Sequence, residues 1–289
     1  MRVAVTGASG FIGARLSAAL RARGHAVLSL GRSSGERRWD PVGGPAPLDG
    51  TDAVVHLAGE PVAAGRWSDA KMRRIRESRV TGTRNLVAGL QAAGTRVLVC
   101  ASATGYYGDR GDEELTEDSA PGTDFLSGVC RDWEAEAEKS GARTVRVRIG
   151  IVLGAGGGAL SRMLLPFRLG LGGRLGDGRQ WMSWIHVDDL VALILHALET
   201  ETLSGPLLGA SPAPVRNADF TRSLGRALGR WTILPMPAWQ LRLLFGKVAS
   251  VLLGSQRCRP ERTLSSGFAY RHPELDAALR TILEPSPVP

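Results

Sequence analysis

The chain has 289 residues, 43% hydrophobic and 22% charged, enough for a large core and against intrinsic disorder outside the last few residues, Pro285 to Pro289. Its net charge of +8 is carried almost wholly by arginine, since Lys71, Lys139 and Lys247 are the only lysines; with no basic stripe interleaved by aromatics, no nucleic-acid partner is expected. No apolar run reaches membrane-spanning length and Cys100, Cys130 and Cys258 have no paired metal-ligand spacing, so the expected setting is the cytoplasm, with no membrane partner and no structural metal.

Val3 to Thr6 predicts a first strand running straight into a glycine turn, which leaves no room for a signal peptide. Phe11 to Arg23 follows as an amphipathic helix ended by Gly24. Further strands are predicted at His25 to Leu30, Ala53 to Leu57, Arg96 to Ala101 and Thr144 to Ile149, with helices from about Ser68 to Ala92 and Phe125 to Ser140. This alternation predicts an α/β fold, a doubly wound parallel sheet of Rossmann type. After the loop Gly154 to Gly158, helices are expected at Ala159 to Leu169 and Asp188 to Leu198, a returning strand at Pro206 to Leu208, and a mostly helical tail from Asn217 interrupted at Pro235 and Pro237. The expected division is a dinucleotide-binding core, 1–153, and a smaller substrate-side lobe, 154–289, with about 185–210 returning to the core.

Thr6-Gly7-Ala8-Ser9-Gly10-Phe11-Ile12-Gly13 stands between a strand and a helix, where glycines let a pyrophosphate approach backbone amides and the helix N-terminus adds partial positive charge. The spacing is GxxGxxG, and the position after the first strand is what makes it a cofactor motif. After the second strand, an acidic residue would hold the ribose hydroxyl of NAD; here stand Leu30-Gly31-Arg32-Ser33. The Arg32 guanidinium pairs with a 2′-phosphate instead, so the expected cofactor is NADP(H). The alternative is that Arg32 is one more solvent-facing arginine.

These residues resemble the extended short-chain dehydrogenase/reductase superfamily. The turn Thr6 to Gly13, the segment Val55-His56-Leu57-Ala58-Gly59 and the segment Trp184-Ile185-His186-Val187-Asp188-Asp189 carry that resemblance. Leu57-Ala58-Gly59-Glu60-Pro61, Ser102 to Gly108, Cys130-Arg131-Asp132-Trp133-Glu134 and Met163 to Gly173 resemble one atypical branch, epimerase-like proteins regarded as NADP-dependent oxidoreductases of undefined substrate, some labelled cell-division inhibitors. The resemblance implies Gly7, Ser9, Gly10, Phe11, Ile12, Gly13, Gly31, Arg32, Leu57, Ala58, Gly59 and Arg79 at the cofactor.

Ordinary members use a Tyr-x-x-x-Lys pair for acid–base work. With Glu134 at the family's downstream acid, Leu126 falls at the tyrosine and Cys130 at the lysine, so both groups are absent. Arg79 replaces the family's asparagine and can meet an anion, its alternative being an ion pair with Glu77 or Asp69. Ser102 matches the family's serine, with Thr104 in reserve. Tyr106 and Tyr107 either replace the lost phenol or cover the nicotinamide, and Cys130 is a nucleophile, a weak acid or inert packing. The resemblance implies that the segment with His186, Asp188 and Asp189 shapes the substrate side and starts a helix, with Asp188 expected as its cap and no metal expected. The cluster Arg162, Arg168, Arg174 and Arg179 either recognises an acidic compound or is plain surface.

The resulting expectation is hydride transfer on an unknown small molecule by a monomer or homodimer. The alternatives are a catalytically silent NADP-binding sensor or scaffold, and an epimerase resembling those acting on nucleotide sugars.

Overall fold

The computed structural model describes residues 1–284, so the expectation for Pro285 to Pro289 lies outside the described residues. The central element is a seven-stranded sheet. Its early strands are β1 (Arg2–Thr6), β2 (Ala26–Gly31), β3 (Arg37–Arg38), β4 (Ala53–His56) and β5 (Val97–Ala103). With Arg143–Ile149 and Gly205–Gly209 they stand in the order Gly205–Gly209, Arg143–Ile149, β5, β4, β1, β2, β3. β1 pairs in parallel with β2 and β4, with Val5 opposite Ser29 on one side and Val55 on the other. Val3 to Val5 and all of β4 are buried, as expected of strands covered on both faces.

The chain runs outward from β1 through β2 and β3, then returns to β4. A crevice therefore opens between the carboxyl ends of β1 and β4, the switch point where doubly wound sheets bind ligands. α1 (Phe11–Ala22) begins directly after the glycine turn and buries Gly13, Leu16, Ser17 and Leu20. α2 (Asp69–Ala93) starts where the Ser68 hydroxyl accepts the Lys71 N–H and stops at Gly94 in a left-handed conformation. α3 (Phe125–Glu138) is capped by Asp124, whose carboxylate accepts the Ser127 N–H at 2.9 Å.

Two compact units divide the chain: 1–106, 123–148 and 191–207 form one, and 107–122, 149–190 and 208–284 the other among the described residues. The second unit thus includes 107–122, a stretch expected in the core only because of its position along the chain. It has its own core, in which Leu153, Leu160, Phe167, Trp184, Phe220, Leu224 and Leu279 pack together. Two-residue and three-residue strands at Glu114–Leu115, Ile151–Leu153, Trp181–Met182, Trp184–His186, Val215–Arg216 and Arg257–Cys258 were not anticipated, because elements this short carry no periodicity.

The helix expected at Asp188 begins at Val187 instead. Asp188 lies in its first turn, and the backbone N–H of Asp188 donates to His186 Nδ1 at 3.1 Å, so the histidine does the capping assigned to the aspartate. Asp189 is fully buried and accepts the N–H groups of Arg271 and His272 at 2.9 Å each, which makes it a structural tie within its unit.

Candidate functional site

The glycine turn is tight in a way that the backbone requires. Gly7 sits at φ 70°, and a Cβ there would lie 3.0 Å from both Ala58 N and the Leu57 carbonyl carbon. A Cβ at Gly13 would lie 2.1 Å from Gly7 O. The N–H of Gly10 donates to Gly7 O at 3.0 Å, and Gly10 caps α1 without any side-chain bond. What remains is a cradle of peptide groups at a helix N-terminus, Ser9 and Gly10 exposed and Phe11 and Ile12 half-buried beside it. Gly13→Ala is expected to destabilise the protein by about 1–3 kcal/mol through this clash; urea denaturation checks it, and an unchanged midpoint would contradict the packing.

A polar relay that sequence reasoning missed locks the crevice. The Thr6 hydroxyl accepts the N–H groups of Leu57 and Ala58, both at 3.1 Å. Its one proton then goes to His56 Nδ1, 2.7 Å away. His56 consequently carries its hydrogen on Nε2 and donates it to the Thr83 hydroxyl at 3.1 Å on α2. Burial, and secondarily the charge of Arg79, lower the His56 pKa to about 4. The signal lay in two motifs, Thr6 opening the turn and His56 preceding Leu57-Ala58-Gly59, but their proximity is a product of β1 pairing with β4.

Gly31 ends β2, and Arg32 follows it exposed to solvent, making no ion pair among the described residues. Glu36, the first acid after β2, lies 3.9 Å from Arg21, an exposed and therefore weak pair. Arg79 reaches from α2 to the Leu57-Ala58-Gly59 segment, where it donates to Glu60 O at 3.0 Å and to Ile75 O at 3.3 Å. Its guanidinium also lies 5.2 Å from the centroid of the Trp133 ring. Burial lowers its pKa, with Cys130 and Glu60 acting in the opposite sense. Glu60 itself pairs with Lys71 Nζ at 2.6 Å, the main reason its carboxyl is held below the usual range.

At the end of β5, Ser102 is almost wholly buried and donates its proton to Glu134 Oε1 at 2.6 Å. Arg148 grips the same carboxylate twice, Nε to Oε1 and Nη2 to Oε2, both at 2.9 Å. Tyr106 is stacked over that guanidinium, its ring centroid 3.6 Å away. Ser102, Glu134, Arg148 and Tyr106 are thus one connected assembly. The structure brings Ser102 and Tyr106 together and sends Tyr107 elsewhere: Tyr107 belongs to the second unit, is fully buried, and donates its hydroxyl to Thr116 O at 2.8 Å. Consecutive in the short helical turn Thr104–Tyr107, the two tyrosines have different partners, Arg148 for one and Thr116 for the other.

Leu126 and Cys130, one helical turn apart on α3, both face Gly105: a Cβ built there would lie 3.7 Å from Leu126 Cβ and 4.0 Å from the Cys130 sulfur. Burial pushes the Cys130 thiol up to about 12, against the opposing influence of Arg79. At neutral pH it stays protonated, the state of a packed thiol and a poor nucleophile.

A seven-stranded parallel sheet with a glycine turn at its switch point is the architecture of a nucleotide-binding oxidoreductase-like protein. The chain belongs to the NAD dependent epimerase/dehydratase family, whose model matches residues 3–206, and residues 236–282 match a domain of unknown function, DUF1731. Over 288 residues it is 44% identical to Epimerase family protein MT2273 of Mycobacterium tuberculosis, covering 96% of each chain. It is 41% identical to Epimerase family protein SDR39U1 of Homo sapiens, covering 98% of this chain and 100% of that one. A crystal structure of the human protein, isoform 2, with NADPH superposes with a TM-score of 0.91 at 38% identity, covering 98% of this chain and 99% of the other. These findings bear out the resemblance to an atypical epimerase-like branch and the doubly wound fold.

Proposed function

We propose that this chain is an NADP(H)-dependent oxidoreductase that moves a hydride to or from a small molecule without the usual tyrosine and lysine pair. One observation carries the reading: the turn Gly7 to Gly13, packed so closely on its own backbone that a Cβ at Gly7 or Gly13 would strike it, leaves Ser9 and Gly10 exposed at a helix N-terminus, and Arg32, with no ion pair among the described residues, follows the next strand. The human relative crystallised with NADPH supports the same cofactor.

Gly7, Ser9, Gly10, Phe11, Ile12 and Gly13 would hold the pyrophosphate, and Gly31 and Arg32 the 2′-phosphate; Leu57, Ala58, Gly59 and Arg79 line the neighbouring crevice. When bound, the dinucleotide supplies or takes up the hydride. The chain must orient the substrate and handle one proton. Ser102 gives its only proton to Glu134, so toward a ligand it acts as an acceptor. Tyr106, with its ring fixed against Arg148, is the remaining side-chain acid of the assembly. Three buried cysteines, in no disulfide among the described residues, support a reducing compartment such as the cytoplasm.

The test is a titration with NADPH and NADH, followed by a screen of carbonyl and enone compounds by NADPH absorbance. Arg32→Glu is expected to weaken NADPH about 100-fold by removing a charge-assisted bond and adding repulsion, with NADH changed little. Equal loss of both removes the phosphate role. NADPH binding without turnover of any compound favours a silent sensor, a reading that the buried Tyr107 and protonated Cys130 also support.

A further inference from the structure

The second unit carries an exposed apolar surface that neither the cofactor cradle nor the Ser102 assembly uses. Trp231 is 84% exposed, Ile233 76%, Trp239 63%, Leu243 67%, Leu165 66% and Leu169 64%. These side chains come from three neighbouring segments: the end of the helix Gly158–Arg168, the stretch Trp231 to Leu234, and the helix Ala238–Phe245. Backbone contacts tie the stretch that follows the first of these helices to the stretch that leads into the second. Met236 donates to Arg174 O and Gly176 to Met236 O, each at 2.9 Å, and a Cβ at Gly173 would strike Leu234 O. The helix Ala238–Phe245 buries only Leu241 and leaves Trp239, Leu243, Leu244 and Phe245 exposed, which inverts the usual order of an amphipathic surface helix.

The charge along the segments that form this surface has one sign. No Asp or Glu occurs from 139 to 176 or from 220 to 260. Arg162, Arg168, Arg174, Arg230, Arg242 and Lys247 are all exposed there. Of the flanking carboxylates, Asp219 is paired with Arg222, and Asp177 accepts the N–H of Arg179 in its own turn. A cavity of about 260 Å³ opens beside Ile233, lined by Arg174, Thr221, Thr232 and the Asp219-paired Arg222, with the Arg174 cation and the hydroxyls suited to a phosphate.

Exposed tryptophans and leucines ringed by arginine and lysine make the chemistry of a membrane interface, where indole rings settle at headgroup level and basic side chains meet anionic lipid. A second copy of the chain would set these cations against one another, a like-charge juxtaposition that opposes association. No described helix is long and apolar enough to cross a membrane, so the contact is with the surface. We propose that this face docks peripherally on an anionic phospholipid bilayer, with a headgroup phosphate in the Arg174–Arg222 cavity. The absence of a spanning run, on which the sequence expectation of no membrane partner rested, does not bear on such a contact. The proposal stands independently of the cofactor reading.

The test uses the purified full chain and sucrose-loaded vesicles, of phosphatidylcholine alone and of phosphatidylcholine with phosphatidylglycerol. Wild type is expected to sediment with the anionic vesicles only, and brominated lipid to quench its tryptophan emission. The double variant R242E/K247E should lower the partition coefficient about fivefold per charge removed or more. The double variant W239E/L243E should abolish binding, with its circular dichroism unchanged because both side chains are already exposed. Equal sedimentation with both vesicle types, sedimentation with neither, or full binding by W239E/L243E overturns the proposal. So does a concentration-dependent dimer that W239E/L243E breaks while vesicles capture nothing, since the face would then meet a second copy.

Discussion

Glu134→Ala is expected to destabilise the protein by about 3–5 kcal/mol, the usual loss when one partner of a buried ion pair is removed. Glu134 and Arg148 have side chains only 5% and 4% exposed, and their two bonds are parallel and charge-assisted. Without the carboxylate, Arg148 stays in the interior as an uncompensated cation. Arg146, 3.7 Å from the same carboxylate, adds a second positive charge, although its bond to Glu138 takes up part of that charge. Ser102 loses its acceptor as well. Replacing both members, with Glu134→Leu and Arg148→Met together, should recover much of the loss, because no buried charge is then left alone. Urea denaturation of the single and double variants decides the matter. A loss below about 1 kcal/mol for Glu134→Ala would show that the pair is hydrated.

The second large effect is a dependence on pH. His56 titrates at 6.5 when unfolded and at about 4 in the fold. Between these values the unfolded chain binds a proton that the folded chain refuses, so stability rises with pH across that window. The contribution is complete above pH 6.5 and disappears as the pH falls through about 4, a change of about 3 kcal/mol. The hydrogen bonds explain the refusal: Nδ1 already accepts the Thr6 proton, and an added hydrogen there would point at a donor. Carboxylates with lowered pKa, such as Glu60 and Asp276, also lose stability in acid. Comparison with His56→Gln separates the two contributions, since that variant keeps the carboxylates and drops the imidazole. Wild type should lose about 3 kcal/mol more than the variant between neutral pH and pH 4. Parallel curves would mean that His56 takes up its proton in place.

Parts of the candidate site were legible because they are local. Gly7, Gly10 and Gly13 lie within one turn, so their spacing already states how closely a backbone can approach an anion. Arg32 likewise follows its strand directly, and the absence of an acid before Glu36 is a fact of order along the chain. The resemblance to the family's motif is what sets Leu126 and Cys130 at the tyrosine and lysine positions, and the structure adds only that they lie one turn apart on α3. Tyr107 could not be separated from Tyr106 in this way, since the direction of each ring depends on a short helical turn and on Thr116, which lies in a different stretch of chain.

Residue order along the chain was enough to specify the doubly wound parallel sheet, the glycine turn after its first strand and the main helices, because strand and helix periodicity and consecutive turn residues act over short distances. Packing in three dimensions was needed to join Thr6, His56 and Thr83 in one relay, to bind Ser102 to Glu134 and Arg148, and to turn tryptophans of the C-terminal segment toward solvent among arginines. Those arrangements join residues far apart along the chain, as Thr6 and His56 are, 50 positions from one another. Such pairings are set by strand register and helix packing, and no local pattern of residues encodes them.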